Sequence, residues 1–538
     1  MRLNTFDAEE KNEWVKKGYI LPAYDRNQVI EKTKINPVWI HFGGGNLFRS
    51  FHTRIAQSLL NSGHINSGIV LIEGYDRELI EKQYRQYDNL SVLLTSDVDG
   101  IVKKEVVASV SESYFLDYGD QIELSRIKEI FCNPGLQLAS FTITEKGYCL
   151  TDEHGFFLNE VVEDFSNGPD NPVSFQGKIT ALLYERYKNG QYPMALLSTD
   201  NCSHNGDKLK SVISAFAHNW CANNFTDSGF ESYINDSGLI TFPSSMIDKI
   251  TPGPDKDMMR ILKKDGIEDC EITRTGKGVY CAPFVNCEDL EFLVIEDSFP
   301  NGRPPFEEAG VMLTDKAKVD QVEKMKVCTC LNPLHTALGI FGILLGYTRI
   351  SEAMTDLDIK TMIDILGFDE ELPAADNPGI IDPRRFLEEV IGIRLVNPFT
   401  PDTLQRIVTD TSQKLSIRFG DTLRIYRNNG WNISSLKAIP LVFAGWLRYL
   451  LSVDDQGNKY ILCDDPMLKR LESVLMNVKL GQKVNSEEVL RDVLKDAKLF
   501  GVDLYEIGLA QKVIDDFNFM ITGPGAVRTL LHKKAFNC

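Results

Sequence analysis

Pro37-Val38-Trp39-Ile40-His41-Phe42 runs directly into Gly43-Gly44-Gly45-Asn46, and from there into residues 47–63, LFRSFHTRIAQSLLNSG. The apolar run reads as a buried strand and the glycines as a tight turn. The stretch that follows reads as a helix, closed by Gly63 because glycine enters the left-handed conformation without a steric penalty. Gly68-Ile69-Val70-Leu71-Ile72-Glu73 is a second buried strand. Strand, glycine turn, helix and strand make a βαβ unit, whose crossover is right-handed.

Further strands are expected at SVLLTSD (91–97), IVKKEVVASV (101–110), LQLASFTIT (136–144) and ALLST (195–199). Polar residues follow the last two, where open α/β sheets place their ligands. From about residue 310 helical patterns dominate, at 333–347, 383–393, 403–419, 436–451 and 486–500. The Pro/Gly-rich segment 297–305, DSFPNGRPP, reads as a linker. The expected architecture is α/β: a Rossmann-type doubly wound domain over residues 1–300, with a polar N-terminal extension, then a mainly α-helical substrate-binding and catalytic domain over 301–538.

The turn spells Gly43-x-Gly45-x-x-Phe48, with Phe48 where a dinucleotide fingerprint has its third glycine. Two readings stand side by side: a turn whose backbone approaches a pyrophosphate at a helix N-terminus, or a tight turn with no ligand. Glu73 at the end of the second strand favours the first. A carboxylate there accepts both hydroxyls of an adenosine ribose and repels a 2′-phosphate, which points to NAD rather than NADP. Gly43, Gly45, Asn46, Phe48, Arg49 and Glu73 are the cofactor candidates, with Asp76 in reserve for Glu73. Arg49 reads as a phosphate contact or as a solvated helix-face arginine.

Of 538 residues, 43% are hydrophobic and 25% charged, as in an ordinary globular protein, which excludes a largely disordered chain. Lys and Arg number 58 against 76 Asp and Glu, a net charge of −18 that argues against nucleic acid and anionic membranes as partners. The cysteines number 11, an odd count without paired zinc spacing, so they read as reduced thiols. Cys328 and Cys330 have no second ligand pair, and no metal is expected. Residues 1–19 are charged and polar, unlike a secretion signal. The apolar run around HTALGIFGILLGY is too short to cross a bilayer, so a cytoplasmic protein is expected, as a monomer or small homo-oligomer.

Four stretches place polar residues in apolar surroundings: 144–148, 200–206, 326–336, and Asp402-Thr403-x-x-Arg406 continued by Asp410 and Lys414. HFGGGNLFR, TITEKGY, STDNCSHNG, FPSSMIDKITP, EDSFPNGRPP, LNPLHTAL and DTLQRIVTDTSQK occur in that order between about residues 38 and 420. In these the chain resembles the long-chain polyol dehydrogenases, the mannitol dehydrogenase family. The resemblance implies metal-independent hydride transfer between NAD(P) and a secondary alcohol or ketone. It assigns the proton carrier to Lys326 and hydrogen bonds on the reacting oxygen to Asn201 and Asn332. His335 is to bind a neighbouring hydroxyl, Arg406 and Lys414 the distal end of the substrate, and Asp248 is to orient one of these groups.

The family spacing puts the lysine five residues before the asparagine, whereas Lys326 stands six before Asn332, and Val327 occupies the fifth position. An extra residue in a broken segment would keep Lys326 in place; Lys324 is the rival carrier and Glu323 a candidate proton relay. Each assignment has a plainer alternative. Asn332 before Pro333 is a helix cap, His335 a core histidine, and Arg406, Asp410 and Lys414, at i, i+4, i+8, a solvated stripe of one helix. The LNPLHTAL variant and the chain length resemble the uronate-reducing branch, which implies reduction of D-fructuronate to D-mannonate. Tagaturonate reduction and mannitol–fructose interconversion are the enzymatic alternatives. A nucleotide-sensing protein without catalysis is the alternative of another class.

Overall fold

The computed structural model describes residues 1–3, 8–399 and 403–536; Asp402 and Cys538 lie outside the described residues. The chain forms two compact units, Met1–Asp320 and Gln321–Cys538. Residues 301–320 stay with the first unit because Met312–Thr314 pairs in parallel with Phe292–Glu296.

Among the described residues of the first unit, one six-stranded sheet carries β1 (Trp39–Phe42), β2 (Ile69–Glu73), β3 (Val110–Phe115), β4 (Leu138–Phe141), β5 (Met194–Ser198) and β6 (Ile240–Thr241). Their spatial order is β3-β2-β1-β4-β5-β6 and every pairing is parallel. This is the doubly wound Rossmann order, with its switch point between β1 and β4, and the expected fold class is met. Successive residues alternate between faces. Ile40, Phe42, Val70 and Ile72 enter one apolar cluster, and Trp39, Ile69 and Leu71 the other. Burial on both faces accounts for the unbroken apolar runs of the sequence.

Segment 101–110 forms two strands rather than one. Val102–Val107 pairs with Ser91–Ser96 in a separate sheet, and Val110 opens β3. The chain changes sheets at Ala108–Ser109, where the Ala108 N–H is held by Gln57 Oε1 and Ser109 Oγ donates to the Thr53 carbonyl.

The second unit is helical. Asn332–Leu344 and Ala438–Tyr449 form its centre, the latter with every residue buried. Arg448 survives in that core because its guanidinium donates to the carbonyls of Met520, Val453 and Asp454. The helical stretch Lys316–Leu344 is long and apolar enough to cross a membrane by composition, yet its apolar window is buried inside the protein as core.

Candidate active site

The nucleotide turn is built by steric exclusion. Gly43 has φ +104°, and a Cβ there would stand 2.2 Å from the Thr142 carbonyl oxygen of the strand across the switch point. Only glycine fits, and β1 and β4 thereby approach closely at their C-terminal ends. A Cβ on Gly45 would meet nothing within 4 Å, so that side of the turn is open.

Phe48 in the third-glycine position is accommodated by a π-helical turn, Phe48–His52, whose wider spiral carries every side chain inward. The Phe48 ring stacks on His41, with centroids 4.2 Å apart and planes at 13°. Beneath the turn His41 bonds Ser140 Oγ and Thr142 Oγ1, and His52 bonds Thr199 Oγ1. Burial holds both imidazoles neutral, His52 being pushed down to about 4.

Three cofactor candidates of the sequence, Glu73, Arg49 and Asn46, are bonded within the protein itself. Glu73 Oε2 accepts the Gly44 N–H at 2.7 Å, and its Oε1 accepts the N–H groups of Tyr75 and Asp76. It braces the glycine turn against the end of β2. Arg49 is buried rather than solvated, and donates to the carbonyls of Phe284 and Ala282. Asn46 Nδ2 donates to the Pro252 carbonyl.

The reserve residue, Asp76, is 3% exposed; its Oδ1 caps Glu78 N–H, while its Oδ2 is buried with no hydrogen-bond partner among the described residues. An orphaned buried carboxylate oxygen is costly unless a ligand meets it. The adjoining Arg77 is held by Asp120 and Glu123 and thus occupied. A cradle only glycine can line, an open side at Gly45 and an orphaned acceptor at the end of β2 together fit a dinucleotide whose ribose lacks a 2′-phosphate.

After β4, Thr144 adopts φ +65°, a strained conformation for a β-branched residue. Asp200 holds it there. Its oxygens accept the Ile143 and Thr144 N–H groups at 3.0 and 2.8 Å and the Tyr148 hydroxyl at 2.6 Å. Burial raises the Asp200 carboxyl above its usual range, opposed by these three donors. Asn205 ties the same loop to the next strand, donating to the carbonyls of Asp200 and Ser245. Exposed Asn201 is thus carried on a fixed loop alongside Ser245–Asp248, whose last residue, Asp248, is buried.

In the second unit Lys326 is 4% exposed and lies in another π-helical turn, Met325–Cys330. The Leu331 N–H reaches the Lys326 carbonyl, five residues back, at 3.2 Å. A π turn holds one residue more than an α turn, so the extra residue between Lys326 and Asn332 is absorbed here. Lys324 points elsewhere: it is exposed and paired with Asp376 at 2.9 Å, a bond that raises its pKa. Glu323 is half-buried three residues before Lys326.

The following helix, Asn332–Leu344, begins one residue earlier than expected. Asn332 is its first residue and Leu331 its cap, so the Asn332 amide is not spent on capping. All of this helix is buried except Asn332 and His335. Their i, i+3 spacing puts both on one face.

Arg406, Asp410 and Lys414 do not form a stripe on one helix. Leu404–Val408 ends, Asp410 turns left-handed at φ +52°, and a new helix runs Thr411–Arg418. Aspartate tolerates this conformation better than most residues. Lys414 Nζ reaches back to the carbonyls of Ile407 and Thr409, closing the first helix. Burial, with Arg418 next, pushes Lys414 down to about 8; Asp410 opposes this and Arg406 adds to it. Leu404–Val408, Thr411–Arg418 and the Met325–Cys330 turn all pack against Asn332–Leu344, so the second-unit candidates share one neighbourhood. Sequence reasoning missed Arg418, although it continues the same i+4 spacing after Lys414, and left Asp200 unassigned.

Among the described residues no group of His, Cys, Asp and Glu is placed to hold a metal ion. The buried thiols of Cys328 and Cys330 are pushed up to about 12 by burial.

Residues 38–308 match the family model of the mannitol dehydrogenase Rossmann domain, and residues 318–520 that of the mannitol dehydrogenase C-terminal domain. D-mannonate oxidoreductase of Thermotoga maritima is 47% identical over 536 residues, covering 99% of each chain. D-mannonate oxidoreductase of Escherichia coli K12 is 29% identical, covering 84% of this chain and 86% of that one. Among solved structures, substrate-free D-sorbitol dehydrogenase has a TM-score of 0.77 at 24% identity, covering 96% and 97% of the two chains. Pseudomonas fluorescens mannitol 2-dehydrogenase, in complex with NAD and D-mannitol, has a TM-score of 0.68 at 23% identity, covering 99% and 100%. The chain is a dehydrogenase of the mannitol dehydrogenase family.

Proposed function

We propose that the chain is a cytoplasmic, metal-independent, NAD-dependent reductase of a keto sugar acid, converting D-fructuronate to D-mannonate. One observation carries the catalytic part. A buried lysine, Lys326, stands on a π turn immediately before a helix that leaves only Asn332 and His335 out of full burial. The substrate part is supported by the full-length likeness to D-mannonate oxidoreductase of Thermotoga maritima.

Reduction of a ketone adds a hydride to carbon and a proton to oxygen. Bound NADH supplies the hydride. Gly43 and Gly45 would admit its pyrophosphate, and Asp76, with its orphaned oxygen, would accept the ribose hydroxyls in place of Glu73, which already accepts three backbone N–H groups. Asn201 and Asn332 donate amide N–H bonds to the carbonyl oxygen, stabilising the negative charge that develops there. Lys326 delivers the proton to that oxygen. His335 bonds a neighbouring hydroxyl, Arg406 and Lys414 hold the distal end of the sugar, and Asp248 orients one of these groups.

The test is NADH consumption with D-fructuronate, D-tagaturonate and D-fructose. The highest kcat/KM is expected with D-fructuronate. Preference for D-tagaturonate or D-fructose would overturn the substrate, and tight NADH binding without turnover on any of them would overturn catalysis.

A further inference from the structure

Arg418 is the last residue of Thr411–Arg418, one turn beyond Lys414. Its Nη1 donates to the Asn332 carbonyl at 3.2 Å and to Thr336 Oγ1 at 2.6 Å. The guanidinium therefore lies against the first turn of Asn332–Leu344. That is the positive end of the helix, where a cation is electrostatically misplaced. Lys414 and Arg406 add two more cations nearby. Among the described residues the carboxylates that act on Lys414 are Asp410 and Asp465, and Asp465 is occupied by Ser412 and the Met467 N–H.

The deeply buried Arg49, Arg186 and Arg448 each commit two or three nitrogens to backbone carbonyls, although Arg49 Nε has no partner among the described residues. Arg186 donates to five backbone carbonyls and Arg448 to three. Arg418 commits one nitrogen, and its Nε–Nη2 edge has no acceptor among the described residues. Burial pushes its guanidinium down to about 10, opposed only in part by the nearby Cys328 thiol. That edge presents two parallel N–H donors, the fork that matches a carboxylate. It adjoins Asn332, one of the two polar positions the central helix leaves partly open.

We propose that the Nε–Nη2 edge of Arg418, with Lys414 beside it, receives the carboxylate of the substrate, and that Arg418 rather than Arg406 decides between a sugar acid and a neutral sugar. The assignment deepens the sugar-acid reading above and rests on it. An incoming carboxylate relieves the repulsion among the three cations, which a neutral polyol leaves in place.

The experiment compares wild type, R418Q and R418K on D-fructuronate and on D-fructose, which presents a ketone without the carboxylate. R418Q is expected to raise KM for D-fructuronate about 30-fold, the worth of a charge-assisted fork, with kcat/KM for D-fructose changed less than about twofold. R418K, which keeps the charge and loses the fork, is expected to recover part of the affinity; it carries the test alone if R418Q does not fold. Equal losses on both substrates would mean that Arg418 only pins the helix and would overturn the assignment, as would an unchanged KM for D-fructuronate. A wild type that prefers D-fructose overturns the sugar-acid reading itself, a result visible before any variant is made.

Discussion

Among the described residues, two of the π-helical turns, Phe48–His52 and Met325–Cys330, lead into helices that flank the candidate site, and they are used in opposite ways. In Phe48–His52 all five side chains are buried. The wider turn makes room for Phe48 over His41, and the working surface is left to the main chain of Gly43–Gly45. In Met325–Cys330 the added residue lets Lys326 keep its place ahead of Asn332 and His335. One insertion serves backbone placement and the other serves a side chain. Substitution at the first turn should therefore cost cofactor affinity and fold, and at the second turnover at constant affinity.

The largest expected effect is at Gly43. Gly43→Ala combines a positive φ with a Cβ 2.2 Å from the Thr142 carbonyl, a contact that only backbone movement relieves. Loss of measurable NADH binding by titration is expected, with a lowered melting temperature. Wild-type affinity would mean that the turn is not shaped by exclusion.

A smaller effect is expected at Asp76. Asp76→Ala removes the orphaned acceptor, and NADH affinity should fall about 10-fold, the worth of a hydrogen bond to a charged group. The preference for NADH over NADPH should narrow, because the repelling carboxylate is gone. Unchanged KM values for both cofactors would return the ribose to Glu73.

Much of the first unit was legible because its signals are steric and local. An apolar run, a glycine that must be glycine and a terminating Gly63 define β1, its helix and β2 without tertiary information. Segment 101–110 was not legible as two strands, since apolar alternation does not say which sheet a strand joins. Nor was the fate of Arg49: an arginine near a phosphate turn and one buried against carbonyls look alike in sequence. The i, i+4, i+8 spacing of Arg406, Asp410 and Lys414 suggested one helix because periodicity does not register a single left-handed residue. The displaced register of Lys326 was visible, but the π turn that absorbs it was not. Hydrogen bonding from i to i+5 leaves no residue signature of its own.

The decisive comparison is of Lys326→Ala with Lys324→Ala, for turnover and for NADH affinity on one preparation. If Lys326 carries the proton, Lys326→Ala lowers kcat by about 10³-fold, the worth of a positioned general acid, with the NADH Kd within about twofold of wild type. Lys324→Ala, which loses only the pair with Asp376, should turn over like wild type. Unaltered turnover in Lys326→Ala, or a collapse confined to Lys324→Ala, would contradict that role for Lys326.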